Sequence, residues 1–199
     1  MYEGGIRVPG IIEWPARVQT GRTTDVLSVT SDIMPTLAAL VGQPAPDRPL
    51  DGIDLTPLLD GRMVSRPSPI FFWSFYLTGY VERAGDPYIE LNLQEGTTPL
   101  VKLMNGIPTR VFQNFHHLAS NPRDKAGSRV VMHNDYKLVI NGSIGSGTEL
   151  FNLRDDPAET QNLVNSEAEL VEELERHLTT CQESVLASLT GADYPSSQR

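Results

Sequence analysis

Four cations crowd one irregular stretch of this chain: Lys102, Arg110, His116 and His117, within "VKLMNGIPTRVFQNFHH". Side chains of these types can meet an anionic substrate through charge-assisted hydrogen bonds, Arg as a planar fork and Lys as a point charge. Each could equally be solvated or paired with a nearby carboxylate, and adjacent histidines are more often structural than metal ligands. The remaining chemistry-bearing residues are scattered. Cys181, the one cysteine, stands in "TTCQES" on an apolar helical stripe and reads as a small core residue. Ser65 has Pro67 two residues on and Pro69 four on, which suits a turn. Asp51 and Asp54 suit a cap, and Asp155-Asp156 before Pro157 suit a turn. No group of Asp and Asn has the spacing of a metal-binding loop. His133 falls at a strand end and His177 on the polar side of a helix, neither with a visible partner, and Trp14 and Trp73 read as core aromatics.

The elements that must position these residues follow from punctuation and period. "IRVPGIIEWP" is apolar and β-branched and predicts a buried strand interrupted at Pro9. "SDIMPTLAALVGQP" predicts a short helix: Ser31 or Asp32 caps it, Pro35 fits its first turn, and Gly42 with Pro44 ends it. Its apolar stripe is Ile33, Leu37, Leu40 and Val41. "DGIDLTPLLDG" predicts a helical turn closed by Gly61, and "SPIFFWSF" a buried strand. From about residue 77 to 128, Pro, Gly, Asn and Thr interrupt every apolar run, which reads as a long, packed, irregular excursion. "RVVMH" and "YKLVI" flank Asn134-Asp135, a two-residue hairpin connection suited to positive φ, and "TELFNL" supplies a third strand. After the polar turn "RDDPAETQNL", Ser166 and Glu169 have capping-box spacing. Leu170, Val171, Leu174, Leu178, Cys181, Val185 and Leu189 then mark an amphipathic helix. The tail from residue 191 reads as frayed.

With 199 residues and 39% apolar content, the chain can build a real core as one large domain or two small ones. The formal charge of −9 argues against nucleic acid or an anionic membrane as a general partner. Much of that charge lies after Glu149, as on a solvated helix. One cysteine allows no internal disulfide and no Cys-based zinc site. No apolar run is long enough to span a membrane, and no signal-peptide pattern opens the sequence.

Four blocks in order carry a resemblance. "YEGGIRVPGIIEWP", "TTDVLSVTSDIMPTL", "LDGIDLTPLLDG" and "DYKLV…ELFNLRDDPAETQNL" together resemble the C-terminal portion of the sulfatase family, arylsulfatase-type, within the alkaline-phosphatase-like superfamily. The first block is similar to the family's E-G-G-x-R-x-P signature, and the resemblance runs from Tyr2 to about residue 180. It implies an α/β fold, here an α+β fragment: the end of an alkaline-phosphatase-like α/β domain, then a small antiparallel sheet packed on a C-terminal helix. Residues 1–76 would be the last pieces of the large domain, 77–128 a substrate-rim segment, 129–190 the small domain and 191–199 the tail. The strands "IRVPGII" and "IFFWSF" would then belong to a wide central sheet. Glu3 and Arg7, which match the signature, would either brace the turn or touch substrate.

The resemblance also implies sulfuric-ester hydrolysis, with a formylglycine made from the Cys or Ser of a C/S-x-P-x-R motif and a calcium held by Asp and Asn. None of the 199 residues forms that motif. The family's active-site Lys lies a few residues before the E-G-G, which here would precede Met1. The expectation is therefore a chain without sulfatase activity by itself, its catalytic apparatus carried on polypeptide N-terminal to it or on a partner chain. Lys102, Arg110, His116 and His117 would meet a sulfated small molecule or glycan. Self-association, or contact with the missing N-terminal half, would cover the exposed strands. Family members are often exported, which points to a periplasmic or secreted protein. A stand-alone, non-catalytic module binding an anionic ligand or a protein is the competing expectation, and a phosphoryl-transferring relative a third.

Overall fold

The structure, a computed structural model, describes residues 2–18, 20–73, 103–104, 107–108, 125, 127–141, 147–190 and 192–193. Lys102, Arg110, His116 and His117 lie outside the described residues, as does most of the 77–128 excursion.

At the centre is a four-stranded antiparallel sheet of β1 (Ile70–Trp73), β4 (Arg129–His133), β5 (Tyr136–Ile140) and β6 (Thr148–Asn152), in that order across the sheet. Between β1 and β4 in sequence, β2 (Leu103–Met104) and β3 (Ile107–Pro108) form a separate two-stranded pair. The hairpin turns where the sequence says it should: Asn134 adopts a φ of 52°, the left-handed conformation that Asn tolerates. The register aligns Val131 with Leu138 and Leu138 with Leu150, so one face of the sheet is apolar across three strands. Phe71 packs against that face from β1. The long helix α4 (Ala168–Thr190) covers it with Leu174 and Leu178, both buried.

The opposite face is apolar too. Ile70, Val130, Met132, Val139 and Phe151 line it, and Ile6, Leu27 and Val29 from the N-terminal part of the chain pack over them. Burial on both faces explains why these strands read as nearly continuous apolar runs rather than as an alternation. It also settles β1. Expected in a wide central sheet, "IFFW" instead pairs with β4, Phe71 opposite Val131, and becomes an edge of the small sheet.

Three further expectations change. "IRVPGIIEWP" is not a strand: a single helical turn α1 (Glu3–Ile6) is followed by irregular chain in which Val8, Ile11 and Ile12 are exposed. No described strand lies beside it to take its backbone hydrogen bonds. The helix α2 (Ile33–Leu40) forms as expected and ends at Gly42, whose φ is 68°. Its apolar stripe faces outward, however: Ile33, Leu37 and Val41 are exposed while Pro35 and Thr36 are buried. Polar docking chose that face, because the Thr36 hydroxyl donates to the Asp32 carbonyl at 2.6 Å and accepts the Leu55 N–H at 2.9 Å. The Ser166 hydroxyl does not cap α4; it donates to the Leu163 carbonyl at 3.0 Å. The buried side of α4 continues through Gln182 and Leu186, not through Cys181 and Val185, which stay half-buried.

Candidate functional site

The motif residues converge on two buried ionic knots, one for each pair of sequence blocks. In the first, Asp32 from the block before α2 meets Arg66. Nη1 and Nη2 of Arg66 lie 2.7 and 2.9 Å from the two carboxylate oxygens, and neither side chain is exposed. The carboxylate also accepts the N–H of Val29 and of Ile53, each at 2.8 Å. Burial pushes the Asp32 pKa up, but the hydrogen bonds from Arg66, Ile53 and Val29 outweigh it and leave the group below the ordinary carboxylate range. Arg66 is held in turn by the Ser68 carbonyl at 2.8 Å on Nε, while Asn134 of the hairpin accepts its backbone N–H at 2.9 Å. Ile53 belongs to the block that runs into α3 (Thr56–Leu59); there Leu55, not Asp54, is the capping position, and the Asp54 carboxylate accepts the Thr56 N–H at 2.7 Å in a side-chain turn just ahead of the helix.

In the second knot, Lys137 of β5 is wholly buried on the sheet face that the N-terminal part of the chain covers. Its Nζ lies 2.7 Å from Glu159 Oε1 and 3.2 Å from Glu3 Oε1. The other Glu159 oxygen accepts the Glu3 N–H at 2.8 Å. Tyr2 completes the arrangement: its hydroxyl donates to Glu149 at 2.5 Å, its ring meets Phe151 edge-on, and the Lys137 ammonium lies 6.0 Å from the ring centre. The hydrogen bond to Glu149, with burial, raises the Tyr2 pKa. Glu3 thus braces its turn from the inside, whereas Arg7 stays largely exposed, 3.8 Å from Glu3.

Other residues singled out by sequence take plain positions. Trp14 is half-buried, not core, with Arg17 over its ring at 5.6 Å. Arg17 and Arg62 both bond Asp60, whose pKa they lower to about 2. Trp73 is half-buried on the edge strand. His133 and His177 do have partners: their rings meet edge-on at 6.2 Å, and Glu173 lies 3.6 Å from His177. Burial, reinforced by Asp51, pushes the Cys181 thiol up to about 11. The Asp156 carboxylate accepts the N–H groups of Thr160 and Gln161, each at 2.7 Å, and closes the polar turn. A depression of about 250 Å³ lies among Ser31, Met34, Arg48, Asp51 and Ser188, where the second and third blocks meet α4; it includes none of the charged residues of the two knots and sets no nucleophile beside a base.

Parts of the chain are shared with known proteins. No family model matches the chain. Human steryl-sulfatase is 47% identical over 81 residues, which is 40% of this chain and 14% of that protein. Human arylsulfatase A is 45% identical over 75 residues, 38% of this chain and 15% of that protein. Over these stretches the chain is similar to sulfatases. A solved Bacteroides fragilis structure described as a candidate sulfatase superposes with a TM-score of 0.50 at 13% identity, covering 92% of this chain and 30% of that one. It shares the mixed α/β fold. The chain thus spans a small share of the length of the sulfatases that it matches.

The formylglycine and calcium that the family implies can be tested against the residues present. They do not fit. Neither Cys181 nor any Ser has Pro at +2 together with Arg at +4. The helix that carries Cys181 half-buries it and holds the thiol protonated. Among the described residues, no three His, Cys, Asp or Glu side chains group as a metal site would require. The sulfatase blocks in this chain meet one another, and their buried charges are consumed in doing so.

Sequence reasoning missed Lys137, Glu159, Asp32 and Arg66 as a set. The available signal was a charged residue inside an apolar run, as in "DYKLVI", because such a residue must find a partner when the strand is buried.

Proposed function

We propose that these residues form the C-terminal portion of a sulfuric-ester hydrolase and act there as scaffold and part of a cleft wall. On this reading the formylglycine and the calcium ligands are carried by polypeptide outside the 199 residues, and the chain alone is inactive. Residues up to 69 finish the large domain, residues 77–128 reach the substrate rim, and residues 129–190 build the small domain together with β1. Lys102, Arg110, His116 and His117 then meet the sulfate of a small molecule or glycan.

The single observation behind this reading is where the buried charges go. Glu3, Asp32, Arg66, Lys137 and Glu159 are engaged in ion pairs with one another, and an arrangement of that kind holds a shape rather than offering a group for proton transfer or nucleophilic attack. The exposed apolar residues Val8, Ile11 and Ile12, and Ile33, Leu37 and Val41 on α2, favour further protein packed against this surface. The same observation favours the second reading, a non-catalytic module that binds a protein.

Purified residues 1–199 should hydrolyse an aryl sulfate such as p-nitrophenyl sulfate no faster than buffer does. Measurable turnover by this chain would overturn the scaffold reading.

A further inference from the structure

We propose that Lys137 is a positioning residue: with Glu159 as connector, it latches the N-terminal E-G-G turn to the small sheet so that the two move as one unit. The proposal concerns residues of this chain alone and stands apart from the hydrolase reading.

The geometry gives each group a distinct task. Lys137 has no exposure, so its ammonium must find charge within the fold, and the two carboxylates that supply it come from opposite ends of the chain. Glu159 is the central member. One of its oxygens holds Lys137 at 2.7 Å and the other accepts the Glu3 backbone N–H at 2.8 Å, so it grips the sheet and the turn together. Glu3 closes the triangle from its own side chain at 3.2 Å. Beside the latch the E-G-G turn is held by its flanks, Tyr2 on Glu149 and Phe151 and Ile6 on the sheet face. It is one helical turn with none of its residues fully buried, and a Cβ added to Gly4 or Gly5 would meet nothing within 4 Å.

The backbone of Glu159 supplies an independent observation. Its φ is 56°, a left-handed conformation that crowds the Cβ of a non-glycine residue. If residues 156–160 were only a turn, glycine or asparagine would serve better at that position. The strained conformation aims the carboxylate at Lys137 and at the Glu3 N–H, the contacts that offset it.

Amide hydrogen exchange on residues 1–199 tests the latch. The Gly5 N–H donates to the Tyr2 carbonyl and the Arg7 N–H to the Glu3 carbonyl, so both report on the turn. In Lys137→Met these two amides should exchange about tenfold faster or more, while those of β4 and β6 change by less than about threefold. Glu159→Gly separates a latch from a mere turn. It relieves the backbone yet removes the connector, so Gly5 and Arg7 should again exchange faster. Unchanged exchange at Gly5 and Arg7 in Glu159→Gly, or an equal rise across the whole sheet in both variants, would overturn the proposal. Should Lys137→Met fail to fold, Glu159→Gly and Glu3→Gln decide the matter, with Glu159→Gly expected to show the larger effect.

Discussion

Arg66 clasps Asp32 with two nitrogens at 2.7 and 2.9 Å, and neither side chain reaches solvent. The pair joins the approach to α2, the 51–55 segment and the hairpin, because Asp32 also accepts the Ile53 N–H and Asn134 accepts the Arg66 N–H.

Removing one partner strands the other charge in the interior. Arg66→Met should therefore cost about 3–5 kcal/mol of folding stability. Urea unfolding followed by far-UV circular dichroism measures this, and a loss under about 1 kcal/mol would show that the pair is not the joint described.

The same pair gives a pH dependence with a definite sign. The Asp32 carboxyl titrates below its ordinary value of 3.8 in the folded chain. The folded state thus binds fewer protons at this site than the unfolded state does. The resulting stabilisation is fully present above pH 3.8 and is lost as pH falls through the lower folded value. Stability profiles of the parent chain and Asp32→Asn should diverge above pH 3.8 and converge in stronger acid. Parallel profiles would contradict the assignment.

Gly52 marks the closest backbone approach in this region. A Cβ there would lie 2.0 Å from the Ser31 carbonyl oxygen and 2.4 Å from its carbon. Backbone cannot yield as a flexible side-chain tip does, so Gly52→Ala must push the segment outward and loosen the Ile53–Asp32 bond. A cost of about 1–3 kcal/mol is expected, read as a lowered midpoint in thermal unfolding. An unchanged midpoint would mean that the approach is looser than described.

Cys181 should be slow to alkylate. Its thiol is pushed from 9.0 to about 11, so near pH 8 the folded chain holds roughly a hundredfold less thiolate than an unfolded one. Iodoacetamide labelling followed by mass spectrometry should show that ratio between native and urea-unfolded protein. Equal rates would place the thiol in solvent.

Local signals carried a good part of this fold into the sequence. The Asn134-Asp135 hairpin, the strands on either side of it, the third strand and the long last helix each follow from a turn residue or a period, which neighbours a few residues apart enforce. So do α2 and its glycine stop and the turn at Asp156. The inertness of Cys181 is legible too, since it falls on the helix's apolar stripe and lacks the Pro at +2 and Arg at +4 of the C-x-P-x-R motif. The likeness to sulfatases could also be read from the order of four short blocks.

Tertiary structure alone decided which of these pieces touch. The E-G-G run looked like a strand, but a strand needs a neighbour's backbone, and the described sheet offers it none. The stripe of α2 has the right period, yet period says nothing about what faces it; the hydrogen bonds of Thr36 and Asp32 docked the other side. "IFFW" was legible as a strand, but its partner β4 begins more than fifty residues later. Glu3 and Lys137 are 134 residues apart, and no local rule joins them. They meet because a sheet buried on both faces leaves a lysine on β5 only the carboxylates that the rest of the chain can bring to it.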